Sequence, residues 1–207
     1  MASKGYTTKT AVENYILQDI DSSFDAQLDA WIAGIEKVMD QYTGRNFKAD
    51  SAASARVFDG DGSSELLIDE CIAITVVEAG EDSYGGSFST IAATGSDRYF
   101  TYPQNAAVKG VPFHKIVLNG RRWPEGMQNN RITAKWGYSV TPPEDIQFAA
   151  CVFVAGVLNQ HRQGGEEIKS ESIGGYSVTY NTDAENNSWA DFERAKQILD
   201  SYKRLNI

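Results

Sequence analysis

A short acidic segment is the part of the sequence that comes closest to a metal-binding motif. Asp59, Asp61, Ser63 and Glu70 fall at positions one, three, five and twelve of a calcium-loop count, and oxygen atoms are the ligands that Ca²⁺ prefers. Position six is not the glycine that such a loop needs, and the flanking residues have strand composition. We therefore predict a turn between two strands, with no metal and no cofactor. A metal-dependent hydrolase that uses Asp59, Asp61 or Glu70 is the less favoured alternative.

The sequence has no motif for a nucleophile or for phosphate binding. It contains neither Gly-x-Ser-x-Gly nor a glycine-rich loop that ends in Lys-Ser or Lys-Thr. The two histidines, His114 and His161, do not have the spacing of a metal pair or of a triad. Cys71 and Cys151 lie in apolar stretches, which is typical of small buried side chains. We predict no catalytic residues and a protein that is not an enzyme.

The charge of the chain disfavours tight binding of nucleic acid. There are 28 Asp and Glu against 19 Lys and Arg, a net charge of −9, whereas nucleic-acid affinity comes largely from basic contacts to phosphates. Arg121, Arg122 and Trp123 form the one basic and aromatic cluster, and Arg and Trp are favoured anchors of protein interfaces. Further candidate partner-binding residues are Tyr176, Tyr180, Trp189, Phe192 and Tyr202. Packing on the chain's own core, or pairing of the arginines with carboxylates, is the alternative.

Neither a membrane span nor a secretory signal is recognisable in the sequence. The longest apolar run, Phe148 to Leu158, has about half the length that a bilayer span requires. The residues that follow Met1 lack an apolar core segment. We expect a soluble protein that is not exported and does not enter a membrane.

The first part of the chain has helical patterning. From Phe24 to Tyr42, apolar side chains recur at steps of three and four, which predicts one amphipathic helix. Gly44 follows the last periodic residue, at the position of a left-handed C-cap. The polar side of this helix is predicted to carry Asp25, Asp29, Glu36 and Asp40.

The middle of the chain has short β-type runs instead. The clearest of them extends from Arg131 to Tyr138, where Ile132, Ala134 and Trp136 alternate with polar residues. The stretch from Gly80 to Gly110 is rich in Gly, Ser, Thr and Asn and contains no long strand. A loop of that length is uncommon and usually functional.

The last part of the chain becomes helical again after Thr141-Pro-Pro-Glu144, a strong helix-start signal. Gly174-Gly175 between two β-type runs predicts a hairpin. We predict an α+β fold that is mainly a helical bundle, with an inserted small β-domain and a β-hairpin in the C-terminal half. The predicted parts are N-terminal helices over 1–54, a β-rich insertion over 55–140, and C-terminal helices over 141–207 that complete the bundle and include a hairpin over 168–180.

Four motifs, taken in order, resemble one known family. They are Tyr42-Thr-Gly-Arg-Asn-Phe47, Ala134-Lys-Trp-Gly-Tyr138, Pro142-Pro-Glu-Asp-Ile146 and Glu171-Ser-Ile-Gly-Gly-Tyr-Ser-Val-Thr-Tyr180. Together they resemble the head–tail connector proteins (adaptor or head-completion proteins) of long-tailed bacteriophages and related gene-transfer particles. The resemblance covers nearly the whole chain. It departs from the family in the middle, because compact members have a short linker where this chain has its β-type insertion.

The resemblance implies a structural role in the virion neck. It implies a ring, usually of twelve copies, that docks under the portal protein, binds a stopper or tail-completion protein and lets DNA pass without specific binding. It also implies synthesis in the cytoplasm of a bacterial host, and a portal contact on the helix from Trp189 to Tyr202. Twelve copies at −9 carry roughly −108, so an acidic channel would repel the passing duplex. Another neck, tail or baseplate subunit is the nearest alternative.

Overall fold

The chain forms two compact units in a computed structural model that describes residues 3–80, 86–162, 169–173, 176–180 and 188–204, without the side chains of 163–189. Unit 1 consists of Met1–Phe47 and Pro142–Ile207, and unit 2 of Lys48–Thr141. The helices are α1 (Lys9–Ile16), α2 (Asp25–Thr43), α3 (Ala106–Lys109), α4 (Glu144–Arg162) and α5 (Ser188–Tyr202). The strands are β1 (Ser54–Gly60), β2 (Glu65–Gly80), β3 (Phe88–Thr90), β4 (Tyr99–Tyr102), β5 (Phe113–Leu118), β6 (Gly126–Trp136), β7 (Lys169–Ile173) and β8 (Tyr176–Tyr180).

Unit 1 is built around α4, which contacts α1, α2 and α5. A helix that is apolar on nearly all sides must be central, because no side of it can face water at low cost. Ten of its residues are buried, from Ile146 to Leu158. Helix α2 confirms the predicted amphipathic stripe and ends at Gly44, which adopts a left-handed conformation with φ 68°.

One expectation for α2 is wrong, because Glu36 does not lie on a solvated face. Its side chain is buried, and its carboxylate accepts hydrogen bonds from Ser3 Oγ (3.0 Å), Lys4 N (2.6 Å) and Tyr6 N (2.7 Å). The N-terminal segment folds back over the helix and supplies these donors. Helical periodicity cannot predict that a segment about thirty residues away in the sequence packs over this face of the helix.

Unit 2 is a six-stranded antiparallel sheet with the strand order β1-β6-β2-β5-β4, in which β3 pairs with the far end of β2. Strand β2 has 16 residues, and its first half pairs with β5 while its second half pairs with β6. Its register shifts at several points along the strand. One core joins both halves of the sheet: Leu66, Ile68, Cys71, Val77, Ile91, Ile116, Leu118, Trp123, Ile132, Ala134 and Trp136.

The two ends of unit 2 lie against each other. Lys48 and Ser139 form an isolated parallel bridge, and Ala49 N donates to Ser139 O at 2.8 Å. Gly137 (φ 130°) is required here, since a Cβ at this position would lie 2.5 Å from Ala49 Cα. The chain therefore enters and leaves unit 2 at one place.

The predicted fold class is wrong in calling the protein mainly a helical bundle. Unit 2, whose sheet has its own core, comprises close to half of the 207 residues. The underestimate has a physical reason: a bent strand with register shifts does not show the strict alternation of a flat one. The fold is a mixed one, in which a helical unit and an antiparallel sheet have similar weight.

Strands β7 and β8 form an antiparallel hairpin, in register from Ile173–Tyr176 to Lys169–Tyr180, and β8 lies against α4. The Gly174-Gly175 turn lies outside the described residues. Within the described part of the chain, no helix has the length and apolar character needed to cross a membrane.

Candidate assembly surfaces

The loop that follows β5 divides the Arg121–Trp123 cluster into two exposed arginines and one buried ring. Trp123 is 1% exposed and belongs to the sheet core, and its backbone N donates to Ser63 O at 2.7 Å. Arg121 and Arg122 are exposed, and Arg122 Nη1 donates to Gly62 O at 3.1 Å. The tryptophan therefore holds the loop, and only the arginines remain available to a partner.

A buried amide network supports the same loop. Asn129 Oδ1 accepts from Gly60 N (3.0 Å) and Asn130 Nδ2 (2.8 Å), while Asn129 Nδ2 donates to Pro124 O (2.9 Å). Gly60 approaches so closely that a Cβ would lie 1.8 Å from Pro124 O. This network was not predicted from the sequence, although two consecutive asparagines inside a strand are an unusual signal.

The acidic segment forms a turn, as predicted. Asp61 Oδ1 accepts from Ser63 N at 2.9 Å, and this turn, through its hydrogen bonds to Ser63, lowers the pKa of Asp61. Asp59 Oδ1 instead accepts from Gln128 N at 2.6 Å. Among the described residues, no three His, Cys, Asp or Glu side chains are grouped so that they could hold a metal ion. Asp59 and Asp61 of the hydrolase alternative therefore accept hydrogen bonds that fix the loop, and Glu70 lies in strand β2.

Both cysteines are buried and free, as the sequence indicated. Burial raises the pKa of Cys71 to about 12 and that of Cys151 to about 11. Because the thiolate is the reactive form, the raised pKa values favour the unreactive thiol form of both side chains at neutral pH. Cys151 Sγ donates to Ala11 O at 3.4 Å and so contributes to the packing of α4 against α1.

Helix α5 places one side in the core of unit 1. Phe192 is 1% exposed and packs edge-on against Phe153, with ring centroids 5.2 Å apart, and Ala195 and Leu199 are fully buried. The opposite side of the helix is exposed and mostly polar. It consists of Ala190, Arg194, Gln197 and Ser201.

Tyr202 joins the end of α5 to the rest of unit 1. Its hydroxyl donates to Asp145 Oδ2 at 3.1 Å, its ring packs edge-on against Phe47 at 5.3 Å, and its carbonyl accepts from Arg45 Nε. Arg204 N, two residues on, donates to Thr43 O at 2.8 Å. Phe192 and Tyr202 therefore have partners within the chain.

The remaining candidates are placed by their backbone only. Tyr176 and Tyr180 are the first and last residues of β8, and Trp189 is the second residue of α5. Their side chains lie outside the described residues. The structure brings Phe192 and Tyr202 onto one helix but does not place Arg121 and Arg122 in the same unit. The binding role of all eight residues stays a prediction.

Leu17 is a further surface residue that was not predicted from the sequence, and its side chain is 90% exposed. Leu17 follows the last residue of α1 and has a left-handed backbone, with φ 54° and ψ 36°. The sequence offers one indirect indication of this conformation: α1 ends without the glycine or asparagine that usually occupies a left-handed cap.

Comparison with known proteins gives a likeness of fold. No family model and no curated protein matches the chain. A chain from the neck of an empty gene transfer agent particle, computed with C6 symmetry, is similar with a TM-score of 0.60 and 9% identity, over 100% of this chain and 94% of that chain. A chain from the virion of a native gene transfer agent particle is similar with a TM-score of 0.56 and 11% identity, over 96% of this chain and 89% of that chain.

Proposed function

We propose that this chain is a structural subunit of the neck of a phage-like particle, where it forms a connector ring that joins head to tail. The observation that carries the proposal is the fold likeness to a neck chain over nearly the full length of both proteins. A widespread single domain would say little about function. Here the match includes a helical unit and an inserted sheet in one chain, which is a more restrictive combination.

The order of sequence motifs supports the same role independently. The four motifs that resemble the connector family lie in both units. The resemblance and the fold likeness were reached from different properties, side-chain types in the first case and backbone geometry in the second. Both lead to the same compartment, the neck of a virion, and to a non-enzymatic role there.

The proposed ring contains twelve copies. Sixfold symmetry, as in the neck that contains the similar chain, is compatible with six or with twelve identical subunits, because twelvefold symmetry includes sixfold. Native mass spectrometry separates the two, since six copies of a 22.8 kDa chain give about 137 kDa and twelve give about 274 kDa.

The proposed portal contact is the exposed side of α5. Phe192 and Leu199 face the core, so the surface that remains for a partner includes Gln197 and Ser201. Deleting 188–207 is a poor test, because it also removes those core residues. Q197E with S201E leaves the core intact, and we expect it to weaken binding to purified portal protein at least about tenfold, with Asp29→Lys on α2 as the matched control. Unchanged portal binding would place the contact elsewhere.

The decisive test of the neck role uses particles made without this chain. We expect DNA-filled heads and separate tails in electron micrographs, and joined particles once the wild-type gene is supplied in trans. An immunogold label on the complementing copy should lie between head and tail. Normally joined particles in the absence of the chain would contradict the proposal.

A further inference from the structure

Leu17 is held in a conformation that costs free energy for any residue with a Cβ. The surrounding loop imposes it: Glu13 O accepts from the backbone N–H of Leu17 and of Gln18, and Glu13 Oε1 accepts from Ile20 N at 3.0 Å. The side chain of Leu17 gains little packing within the chain that could offset this backbone strain, because it is 90% exposed. The surrounding structure maintains this strain although Leu17 has little packing within the chain. Such strain points to a functional role for the residue, here a contact with a partner.

A hydrogen bond between Gln18 and Arg162 links the segment that carries Leu17 to an aromatic cluster around His161. Gln18, the neighbour of Leu17, accepts from Arg162 Nη1 at 2.8 Å. His161, next to Arg162, packs edge-on against Trp31 (5.3 Å) and Phe24 (6.3 Å). We define the Leu17 patch as Leu17, Phe24, Trp31 and His161 together with the two exposed carboxylates between Leu17 and Phe24, Asp19 and Asp21.

The Leu17 patch is acidic at its rim. Asp21 caps the turn that follows it by accepting from Ser23 N at 2.8 Å, and these bonds to Ser23 lower its pKa, so that it is ionised at neutral pH. Two cations lie nearby: Arg162 is engaged with Gln18, and Lys9, which also acts on Asp21, is paired with Asp25 at 2.6 Å. A partner that covers the patch must therefore offer apolar side chains and positive charge.

A surface of that description lies on unit 2. Strand β4 is an edge strand. Arg98 precedes it and stacks its guanidinium on Phe100 at 4.8 Å, and the short helix α3, with Val108 and Lys109, begins four residues after the strand ends. Phe100 is 38% exposed and Val108 is 89% exposed. We define these four residues as the β4 patch. Asp97, which precedes Arg98, is the acidic residue beside it in sequence.

We propose that the Leu17 patch of one copy docks on the β4 patch of the next copy. This inference rests on the proposed ring and names the contact that builds it. Two different patches on one chain make a head-to-tail contact, which closes into a ring when the rotation between copies divides a full turn. A twofold contact of the Leu17 patch with itself would set Asp19 and Asp21 against their own copies, which like charge disfavours.

Crosslinking in assembled particles tests the contact directly. In L17C/V108C, a short bismaleimide should link each copy to the next and produce a ladder of bands up to the full ring. L17C alone and V108C alone should give no ladder, and Cys71 and Cys151 do not interfere because they are buried. Dimers from L17C alone would overturn the head-to-tail arrangement.

The same experiment separates this inference from the proposed function. Particles that contain the chain at the neck but give no ladder overturn the inference and leave the neck role intact. Particles that do not contain the chain overturn the neck role, and the ring contact with it.

Charge reversal provides a second test in solution or in particles. D19K/D21K and R98E/K109E should each fail to assemble, because each places like charges across the contact. An equal mixture should assemble with the two variants alternating around the ring, which an even copy number permits. Assembly of either variant alone at wild-type level would contradict the inference.

Two substitutions at Leu17 distinguish side-chain docking from backbone strain. L17A keeps the strained cap and L17G relieves it, and both should reduce assembly at least about tenfold. Only L17G should also raise the Tm of the free chain, by about 2–4 °C. Leu67→Ala removes another exposed leucine, 67% exposed on β2, and should leave assembly unchanged. An equal loss of assembly in Leu67→Ala would overturn the inference.

Discussion

Units 1 and 2 differ in how the chain builds them. Unit 2 is continuous in sequence, whereas unit 1 combines the first 47 residues with everything after Thr141. Unit 1 contains ten Lys and Arg and seventeen Asp and Glu, against nine and eleven in unit 2. Most of the negative charge of the protein therefore lies on the helical unit.

The interactions that stabilise each unit internally also differ. Unit 2 relies on backbone ladders between antiparallel strands. Unit 1 relies on core packing and on side-chain hydrogen bonds between its two chain segments, such as Tyr15 OH to Asp191 Oδ2 at 2.7 Å and Tyr42 OH to Asp200 Oδ1 at 2.5 Å. Unit 1 therefore depends on both ends of the chain, and unit 2 depends on neither.

The largest expected effect follows from that dependence. A fragment of residues 48–141 should fold by itself, because the core of unit 2 lies within it. Circular dichroism should show a cooperative thermal transition. Fragment 1–47 alone should show no cooperative transition, because it lacks helices α4 and α5, which α2 contacts in the full chain. A non-cooperative melt of 48–141 would remove the distinction between the units.

Phe192→Ala should destabilise unit 1 without affecting unit 2. The ring is 1% exposed and packs on Phe153, so its removal should cost about 3–5 kcal/mol. Hydrogen exchange resolved by residue would show the loss in α2 and α4 and unchanged protection in β2 and β6. The control is Q197A on the exposed side of the same helix, expected within about 0.5 kcal/mol of wild type. Equal losses in both units would show that they unfold together.

Glu36→Ala should weaken the attachment of the N-terminal segment to helix α2 and so lower the stability of unit 1. The change leaves the N–H groups of Lys4 and Tyr6 without their acceptor, at a cost of about 2–3 kcal/mol. Chemical denaturation measures the loss, and proteolysis near residue 5 should become faster. Asp29→Ala, at an exposed position of the same helix, is the control. A loss as large in the control would indicate a general effect of helix charge.

The smallest expected effect is a difference in pH dependence. In unit 2, hydrogen bonds from Arg131 at 2.7 and 2.9 Å lower the pKa of Glu78 below 4.5. In unit 1, burial raises the pKa of Asp40 above 3.8. The Glu78 contribution is therefore complete above pH 4.5 and is lost as the pH falls through the lowered folded pKa. The Asp40 carboxyl favours the folded state more as the pH falls through its raised folded pKa.

Denaturation from pH 7 to pH 3 tests these opposite signs. The stability difference between wild type and Glu78→Gln, expected at about 1 kcal/mol or less, should shrink on acidification. The difference between wild type and Asp40→Asn should change in favour of wild type over the same range. Changes of the same sign in both pairs would contradict the assigned causes.

The sequence predicted the regular elements of both units, but it did not predict the contacts between segments that are distant in sequence. Helix α2 and the alternation of Ile132, Ala134 and Trp136 in β6 are confirmed, because local periodicity determines both. The burial of Glu36 depends on a cover by the N-terminal segment. The length of strand β2 is not visible in the sequence, because Asp69-Glu70 interrupts its apolar pattern.

The candidate surfaces were predictable to a similar extent. Residue type alone identified Arg121, Arg122 and Trp123, but only the fold shows that Trp123 is buried while the arginines are exposed. Leu17 could not be found from periodicity, since it is a residue of ordinary type in an unusual backbone conformation.

The paired ends of unit 2 have a consequence for how such chains can diversify. Because Lys48 and Ser139 are already held side by side, unit 1 requires only that two chain ends meet there. The loop-closure entropy of such a connection grows slowly with its length, so a short turn or a whole sheet can occupy the same junction. An insertion of a different length at this junction therefore requires little change in the helices of unit 1.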